Sequence, residues 1–190
     1  MKVAVFCSSS DNIAEDYRQV ARSLGSLLAQ NGHELVYGGT PCGLMGDVAQ
    51  AAAQKNGEIT GIIPENWKDS EWVNPYNTQN IFVKNLAERK ALMANMADVF
   101  VVLPGGIGTL DEAFSLMAMH QIGETTKKVY FINTNGFFSG IEQQLNHCLK
   151  ENCMTMNSVS TYQFVNQLSA LMLWFNNLKR RFLGCKPYRG

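Results

Sequence analysis

The chain has no excess of charge of either sign. Its 190 residues contain 16 lysines and arginines and 16 aspartates and glutamates. No overall field therefore attracts nucleic acid or an anionic membrane, and neither is expected as a partner. The sequence also lacks an apolar run long enough to cross a bilayer, and its apolar start, residues 1–6, is too short for a signal peptide.

Cysteine and histidine are scarce as well. The five cysteines are odd in number and form no Cys-x-x-Cys pair, which disfavours both a disulfide framework and a thiolate zinc site. The three histidines show no spacing typical of metal ligands. We therefore expect a cytoplasmic protein that binds no metal.

What the sequence does contain is a regular alternation of apolar strand and helix patterns. With 46% hydrophobic residues, the chain is long enough for one buried domain and short for two. The pattern predicts a doubly wound, mostly parallel, Rossmann-like α/β sheet spanning residues 1–178, followed by a basic tail at 179–190. The predicted strands are 3–6, 34–37, 58–63, 81–83, 99–103 and 128–132, and the predicted helices are 13–30, 44–55, 86–96, 109–122, 137–151 and 162–177.

The central feature is a buried strand, residues 99–103, followed by Pro104-Gly-Gly-Ile-Gly-Thr109. Thr109 and Glu112 have the spacing of a capping box, which predicts that the next helix begins at Thr109. The glycines in this turn can adopt positive φ and let a ligand approach the backbone and the first-turn amides, an arrangement that suits a phosphate. These glycines are Gly105, Gly106 and Gly108. The alternative is an ordinary tight turn.

A second glycine-rich turn follows the strand at 34–37 and contains Gly38, Gly39, Gly43 and Gly46. Turns of this kind meet at the carboxyl edge of a parallel sheet, so both are expected to line one pocket. Neither matches GxGxxG with a following acidic residue or GxxxxGK[ST], which excludes a dinucleotide dehydrogenase and a P-loop NTPase. No cofactor is expected.

Three further segments supply candidate residues. Ser8 and Ser9 follow the first strand and are expected either to contact a ligand or to cap the next helix. The loop at 65–77 contains two tryptophans and Glu71, and it is interpreted either as a lid or base-stacking wall or as a loop packed on its own aromatics. Arg89 and Lys90 lie in the helix at 86–96, either near the pocket or on a solvated face.

Four motifs together resemble the LONELY GUY family of cytokinin riboside 5′-monophosphate phosphoribohydrolases. Pro104-Gly-Gly-Ile-Gly-Thr-Leu-Asp-Glu112 is similar to the family's PGGxGTxxE signature, and Glu88-Arg-Lys-Ala-Leu-Met93 to its ERKxxM motif. Tyr37-Gly-Gly-Thr-Pro-Cys-Gly-Leu-Met-Gly46 resembles YGGxxxGLMG, and Phe6-Cys-Ser-Ser9 resembles FCGSS. The resemblance covers residues 2–149. The lysine decarboxylase label once applied to such sequences is discounted, because no pyridoxal-lysine setting is recognisable.

The resemblance implies hydrolysis of a nucleoside 5′-monophosphate to free base and ribose 5-phosphate. It assigns the catalytic pair to Arg89 and Glu112, and it implies a homodimer with sites near the subunit interface. The residues it assigns to substrate binding are Ser9, Gly39, Glu71, Lys90, Gly105, Gly106, Gly108 and Thr109. The alternative is a nucleotide-binding sensor or scaffold of the same fold that does not turn its ligand over.

The chain departs from the family pattern at several positions. The departures are Ser8, Leu86-Ala87, Asp111, Met119 and Lys127-Lys128. Because most of these positions are expected to flank the base pocket, the preferred base stays open between AMP and an N6-substituted AMP.

Overall fold

The computed structural model of the protein describes residues 1–171 and residue 175. The predicted tail at 179–190, and with it the predicted domain boundary at residue 178, lies outside the described residues. The elements, in chain order, are β1 Lys2–Phe6, α1 Glu15–Gln30, β2 Glu34–Tyr37, α2 Gly43–Ala53, β3 Ile59–Pro64, β4 Gln79–Val83, α3 Leu86–Met96, β5 Val99–Val102, α4 Ile107–Gln121, β6 Val129–Ile132, α5 Ser139–Lys150, α6 Met156–Val159 and β7 Tyr162–Val165.

The strands form one seven-stranded sheet in the order β4-β3-β2-β1-β5-β6-β7. Each neighbouring pair is parallel. The chain starts in the middle, builds outward through β2, β3 and β4, then returns to place β5 on the other side of β1. This confirms the doubly wound parallel fold. It also puts the reversal of strand order between β1 and β5, where α/β sheets bind ligands.

Both faces of the sheet are covered, as the unbroken apolar strands require. Along β5, Val99 and Val101 pack in the cluster that includes α1 and α2. Phe100 and Val102 pack on the opposite face with residues of α3, α4 and α5. The loop after β1 is joined to the loop after β5 by a hydrogen bond of 3.0 Å, which the Ser8 backbone amide donates to the Pro104 carbonyl.

The predicted helix at 162–177 is wrong at its start, because residues 162–165 form the edge strand β7. Tyr162 and Phe164 pack in one core cluster, whereas Val165 packs in the other, which is the period of two that defines a strand. Residues 168–171 and 175 are helical. Leu171 and Phe175 are buried, which confirms for these two the prediction that their apolar stripe belongs to the core.

None of the helices within the described residues combines the length and apolarity needed to span a membrane.

Candidate functional site

A cavity of about 560 Å³ opens at the carboxyl edge of the sheet, above the ends of β1, β2 and β5. Its wall contains eight of the residues that the sequence analysis named by number as candidates or turn glycines: Ser8, Ser9, Gly38, Arg89, Gly106, Gly108, Thr109 and Glu112. These side chains and backbone segments come from four parts of the chain that are far apart in sequence. The structure therefore brings both glycine-rich turns and the Arg-Glu pair to one place.

The turn after β5 differs from the prediction in where the helix begins. Helix α4 starts at Ile107 with Gly106 as its N-cap, so the predicted start at Thr109 and its capping box are wrong. The Leu110 amide donates to the Gly106 carbonyl at 3.1 Å, so the helix begins two residues before Thr109. Thr109 is buried instead, and its side chain fills the space where a Cβ on Gly105 would lie.

The glycines of this turn do not adopt an unusual backbone conformation. Gly105, Gly106 and Gly108 are absent from the residues with positive φ, so that part of the prediction is wrong. A Cβ built on Gly106 or Gly108 would meet nothing within 4 Å. Both residues therefore leave their backbone accessible from the cavity. Within the described part of the chain, no side chain caps α4, whose first-turn amides point at this space.

The turn after β2 does need glycine conformations, at Gly39 with φ +80° and at Gly43 with φ +55°. Here the start of the next helix is satisfied by the protein itself. The Gly43 amide donates to Asp11 Oδ1 at 2.8 Å, and the Leu44 amide donates to the Ser8 carbonyl at 3.0 Å. The amides of Gly43 and Leu44 are therefore already bonded within the protein and are not available to a ligand. This turn supports the cavity.

The two serines after β1 do not cap α1. That helix has Ala14 as its N-cap and, among the described residues, no side chain bonded to its first turn. The Ser8 hydroxyl oxygen accepts a hydrogen bond from the Ser10 amide at 3.0 Å. Ser9 lies in the cavity wall, so the ligand alternative is the one that the structure leaves open for it.

Arg89 and Glu112 form the charged centre of the cavity. Arg89 Nη1 lies 3.6 Å from Glu112 Oε1, and their side chains are only 12% and 15% exposed. The guanidinium is fixed from behind, since its Nε donates to the Ile62 carbonyl at 2.9 Å. A Cβ on Gly38 would overlap Arg89 Nη2, so the glycine after β2 makes room for the arginine. Arg89 therefore does not belong to a solvated face.

Burial raises the pKa of Glu112 to about 7. The Arg89 and Lys90 cations oppose this rise, whereas the neighbouring Asp111 carboxylate adds to it. Glu112 consequently exists in both protonation states near neutral pH. A carboxyl group tuned in this way is suited to accept or donate a proton during a reaction.

Two other predicted residues lie away from this centre. Lys90 Nζ is 2.8 Å from Asp111 Oδ2 and 3.1 Å from the Ser115 hydroxyl, and it lines a second cavity of about 300 Å³ that shares Glu112 with the first. Glu71 is exposed in the loop, next to the cavity-lining Trp72, and its charge contributes to the raised pKa of the Cys42 thiol at the cavity wall. Lys90 is thus paired within the protein, and Glu71 lies at the rim.

The loop at 65–77 places its two tryptophans over the cavity. Trp67 and Trp72 both line it, and their ring centroids are 6.1 Å apart with the planes tilted by 36°. The loop is thus both a wall of the cavity and, in this aromatic pair, packed on itself. Two asparagines that the sequence analysis missed hold it: the Asn74 amide and Asn77 Nδ2 both donate to the Gly39 carbonyl.

Four other cavity residues lie inside two of the quoted motifs, although the sequence analysis assigned none of them a role. They are Cys7, Thr40, Cys42 and Met45. Cys7 is buried, and the Glu112 carboxylate adds to the effect of burial in raising the pKa of its thiol. Within the described residues, no group of three or more His, Cys, Asp or Glu side chains is arranged to hold a metal ion.

Comparison with known proteins gives consistent matches. The family described as "Possible lysine decarboxylase" matches residues 45–173. Cytokinin riboside 5′-monophosphate phosphoribohydrolase LOG5 of Arabidopsis thaliana is 40% identical over 138 residues, which are 73% of this chain and 60% of that protein. The phosphoribohydrolase of the same description from Rhodococcoides fascians is 34% identical over 154 residues, covering 80% and 78% of the two chains.

Solved structures give the same fold at lower identity. The molybdenum cofactor binding protein from Rippkaea orientalis superposes with a TM-score of 0.73 at 20% identity, covering 93% of this chain and 96% of that one. The protein TM1055 superposes with a TM-score of 0.71 at 21% identity, covering 93% and 98%. At these identities the similarity establishes the Rossmann-like, single-domain fold alone. The chain spans about 60% of the length of the Arabidopsis relative.

Proposed function

The chain belongs to the LONELY GUY family, and from that premise we propose that it hydrolyses the N-glycosidic bond of a nucleoside 5′-monophosphate, releasing the base and ribose 5-phosphate. The observation that carries the proposal is the buried Arg89–Glu112 pair, 3.6 Å apart in the same cavity as the uncapped start of α4. A phosphate site alone needs no acid beside it, since like charges repel. An acid at that position fits chemistry on the sugar.

The start of α4 is proposed to bind the 5′-phosphate. Backbone amides at a helix N-terminus, together with the helix dipole, favour a dianion. Gly106 and Gly108 allow the phosphate oxygens to approach these amides, while Gly105 and Thr109 fix the turn beneath them. Ser9 contributes from the cavity wall. Gly39 shapes the turn that places its neighbour Gly38 in that wall.

Glu112 is proposed to act on the sugar. Cleavage of a ribosyl bond passes through an oxocarbenium-like state, whose positive charge at C1′ a nearby carboxylate stabilises. Water attacks C1′, the C1′–N9 electron pair leaves with the base, Glu112 accepts the proton of the attacking water, and the departing base takes up a proton from solvent. Arg89 holds Glu112 and the substrate in register with planar contacts that a lysine would not reproduce.

The base is proposed to lie toward Trp67 and Trp72, which offer aromatic surface at the cavity wall. Glu71 would reach it from the rim. Lys90 stays a proposed phosphate contact through its position beside Glu112, although it would first have to leave Asp111. The substrate class is AMP or an N6-substituted AMP.

The test is direct. The protein is incubated with AMP and separately with isopentenyladenosine 5′-monophosphate, and free base and ribose 5-phosphate are quantified. Release of both products in equal amounts supports the proposal. Saturable binding of either nucleotide without release of base would instead establish the sensor or scaffold alternative.

A homodimer is proposed as the working form. Ile107, Phe114 and Ile122 are 84%, 39% and 72% exposed and share one face of α4 with the exposed Ala118. An apolar face of this kind beside the cavity suits a second copy of the chain. Light scattering with size-exclusion chromatography measures the mass, and Phe114→Glu is expected to give the monomer.

The proposed compartment is the cytoplasm. The four described cysteines are free thiols, as a reducing environment would keep them. Cell fractionation with an antibody to the protein tests this placement.

A further inference from the structure

A glycine in the buried interior of β3 has no role in the site as described so far. Glycine weakens a strand unless another group approaches the backbone there. A Cβ on Gly61 would lie 2.5 Å from Asn77 Nδ2 and 2.9 Å from the Gly39 Cα. Gly61 is therefore the position where the Asn77 carboxamide and the end of β2 press against β3.

The Asn77 carboxamide is fully engaged at this point. Its Oδ1 accepts a hydrogen bond from the buried Tyr37 hydroxyl at 2.6 Å. Its Nδ2 donates to the Gly39 carbonyl at 3.2 Å and to Asn80 Oδ1 at 2.7 Å. Asn77 thus joins the tryptophan loop to the end of β2 and covers β3.

Arg89 contacts the neighbouring residues in β3 and in the turn after β2. Its Nε donates to the carbonyl of Ile62, the neighbour of Gly61, and its Nη2 packs against Gly38, the neighbour of Gly39. A shift of the backbone at 38–39 or 61–62 would move the guanidinium directly. Asn77 and Arg89 therefore contact the same two short segments, residues 38–39 after β2 and residues 61–62 in β3.

We infer that Asn77 is a positioning residue, which acts through Gly39 and Gly61 to set where the Arg89 guanidinium lies against Glu112. The kinetic part of this inference rests on the proposed function. The structural part does not rest on the proposed function, because the position of Arg89 against Glu112 is set within the protein and does not depend on which ligand binds.

The charge state of Glu112 reports this geometry. The groups that face Glu112 are the Arg89 and Lys90 cations of α3, Asp111 on its own helix, and the Cys7 thiol at the end of β1. Asn77 carries no charge, so its removal changes the Glu112 pKa only by moving other groups. Withdrawal of Arg89 would raise that pKa further above its usual range.

The experiment is a ¹³C NMR titration of the glutamate carboxyl carbons, with Glu112 assigned by its absence in Glu112→Gln. In Asn77→Ala the Glu112 pKa is expected to rise by about half a unit to one unit. Tyr37→Phe, which removes the hydroxyl that bonds to Asn77 and also interacts with Asn74, should give a smaller rise of the same sign. Asn166→Ala is the matched control, because Asn166 is exposed just after β7, at the opposite side of the sheet from β3 and β4, and it should leave the pKa unchanged.

A folded Asn77→Ala protein with the wild-type Glu112 pKa overturns the inference. If Asn77→Ala does not fold, Tyr37→Phe decides in the same way. Steady-state kinetics with the nucleotide then separate the two proposals, since mispositioned Arg89 should lower kcat more than it raises KM. A shifted Glu112 pKa with unchanged kcat would reject the catalytic role of the pair and leave the positioning role of Asn77 in place.

Discussion

The two glycine-rich turns of this protein look alike in sequence and differ in what lies at the start of the helix that follows. After β2, the amides of Gly43 and Leu44 are bonded to Asp11 and Ser8 of the same chain. After β5, the start of α4 has no side-chain cap within the described residues. One turn is closed by the protein, and the other is open to the cavity.

The glycines of the two turns also differ in what surrounds them. At the closed turn, a Cβ on Gly46 would overlap the Pro41 carbonyl, and one on Gly38 would overlap Arg89. At the open turn, a Cβ on Gly106 or Gly108 would meet no atom of the described residues within 4 Å. Glycine thus serves packing in the first turn and access in the second. A glycine-rich pattern alone does not separate these two uses.

The largest expected effect is at the acid and arginine that border the open turn. Glu112→Gln and Arg89→Ala should each lower kcat/KM by about two or more powers of ten, a scale typical of losing a preorganised electrostatic group. Release of free base from the nucleotide measures this loss. Circular dichroism should show the fold intact.

Lys55→Ala is a matched control for Arg89→Ala, because Lys55 is an exposed cation just after α2, away from the cavity wall. It should keep full activity. Normal turnover by Glu112→Gln would contradict the assigned role of the carboxylate.

The comparison of the turns is sharpened by placing the same substitution in each. Gly46→Ala should lower the free energy of unfolding by about 2 kcal/mol or more, because a methyl group must displace backbone. Gly108→Ala should leave stability equal or slightly higher, since alanine favours a helix. It should instead raise KM and the Kd for ribose 5-phosphate by about tenfold, roughly the loss of one good hydrogen bond.

Urea unfolding and calorimetric titration give the two readings. Should Gly108→Ala bind ribose 5-phosphate as well as the wild type, the phosphate does not lie on the start of α4. Equal destabilisation by both alanines would remove the distinction between a closed and an open turn.

The pH dependence tests the tuning of the acid beside the open turn. Burial raises the pKa of Glu112 from an unfolded value near 4.5 to about 7, so the folded state holds the proton more tightly over that range. Stability is therefore expected to fall as pH rises from about 5 to 8, by an amount on the order of 3 kcal/mol. The difference in unfolding free energy between wild type and Glu112→Gln, measured across this range, isolates the effect.

The reaction should show the opposite trend. If the carboxylate form of Glu112 stabilises the transition state, kcat/KM rises with pH through an apparent pKa near 7. A flat stability difference across pH 5–8 would show that the Glu112 pKa is not raised.

The fold could be predicted where the spacing of apolar residues fits only one kind of element. Strand β5 is apolar on both faces, and α3 is bounded at Leu86 and Met96 as its pattern predicts. The strand β7 was missed because its apolar residues, two positions apart, are followed directly by an apolar helix. Together the two segments also fit the spacing of one amphipathic helix. The start of α4 was missed because Thr109 has the residue type and spacing of a cap. In the structure Gly106 occupies the N-cap position without a side chain to cap the helix, and Thr109 fills the space beside Gly105.

The candidate site could be predicted where a motif marks it, as at Arg89 and Glu112, which the structure places 3.6 Å apart in one cavity. It was not predictable where a role depends on long-range packing. Asn77 and Gly61 become meaningful only when β2, β3 and the tryptophan loop are brought together. The raised pKa of Glu112 is likewise a result of burial, which no local spacing expresses.

The smallest expected effect concerns the group that closes the first turn. Asp11 Oδ1 accepts a hydrogen bond from the Gly43 amide and lies 3.7 Å from Arg18 Nη2. Asp11→Ala should therefore lower the free energy of unfolding by about 1 kcal/mol, the usual contribution of a helix cap. Urea unfolding measures it, with the exposed Asp69→Ala as control. Because the cap supports the floor and not the phosphate, kcat/KM should change less than about threefold. A loss of activity as large as that of Glu112→Gln would mean that the closed turn also contacts the substrate, and the contrast between the two turns would then fail.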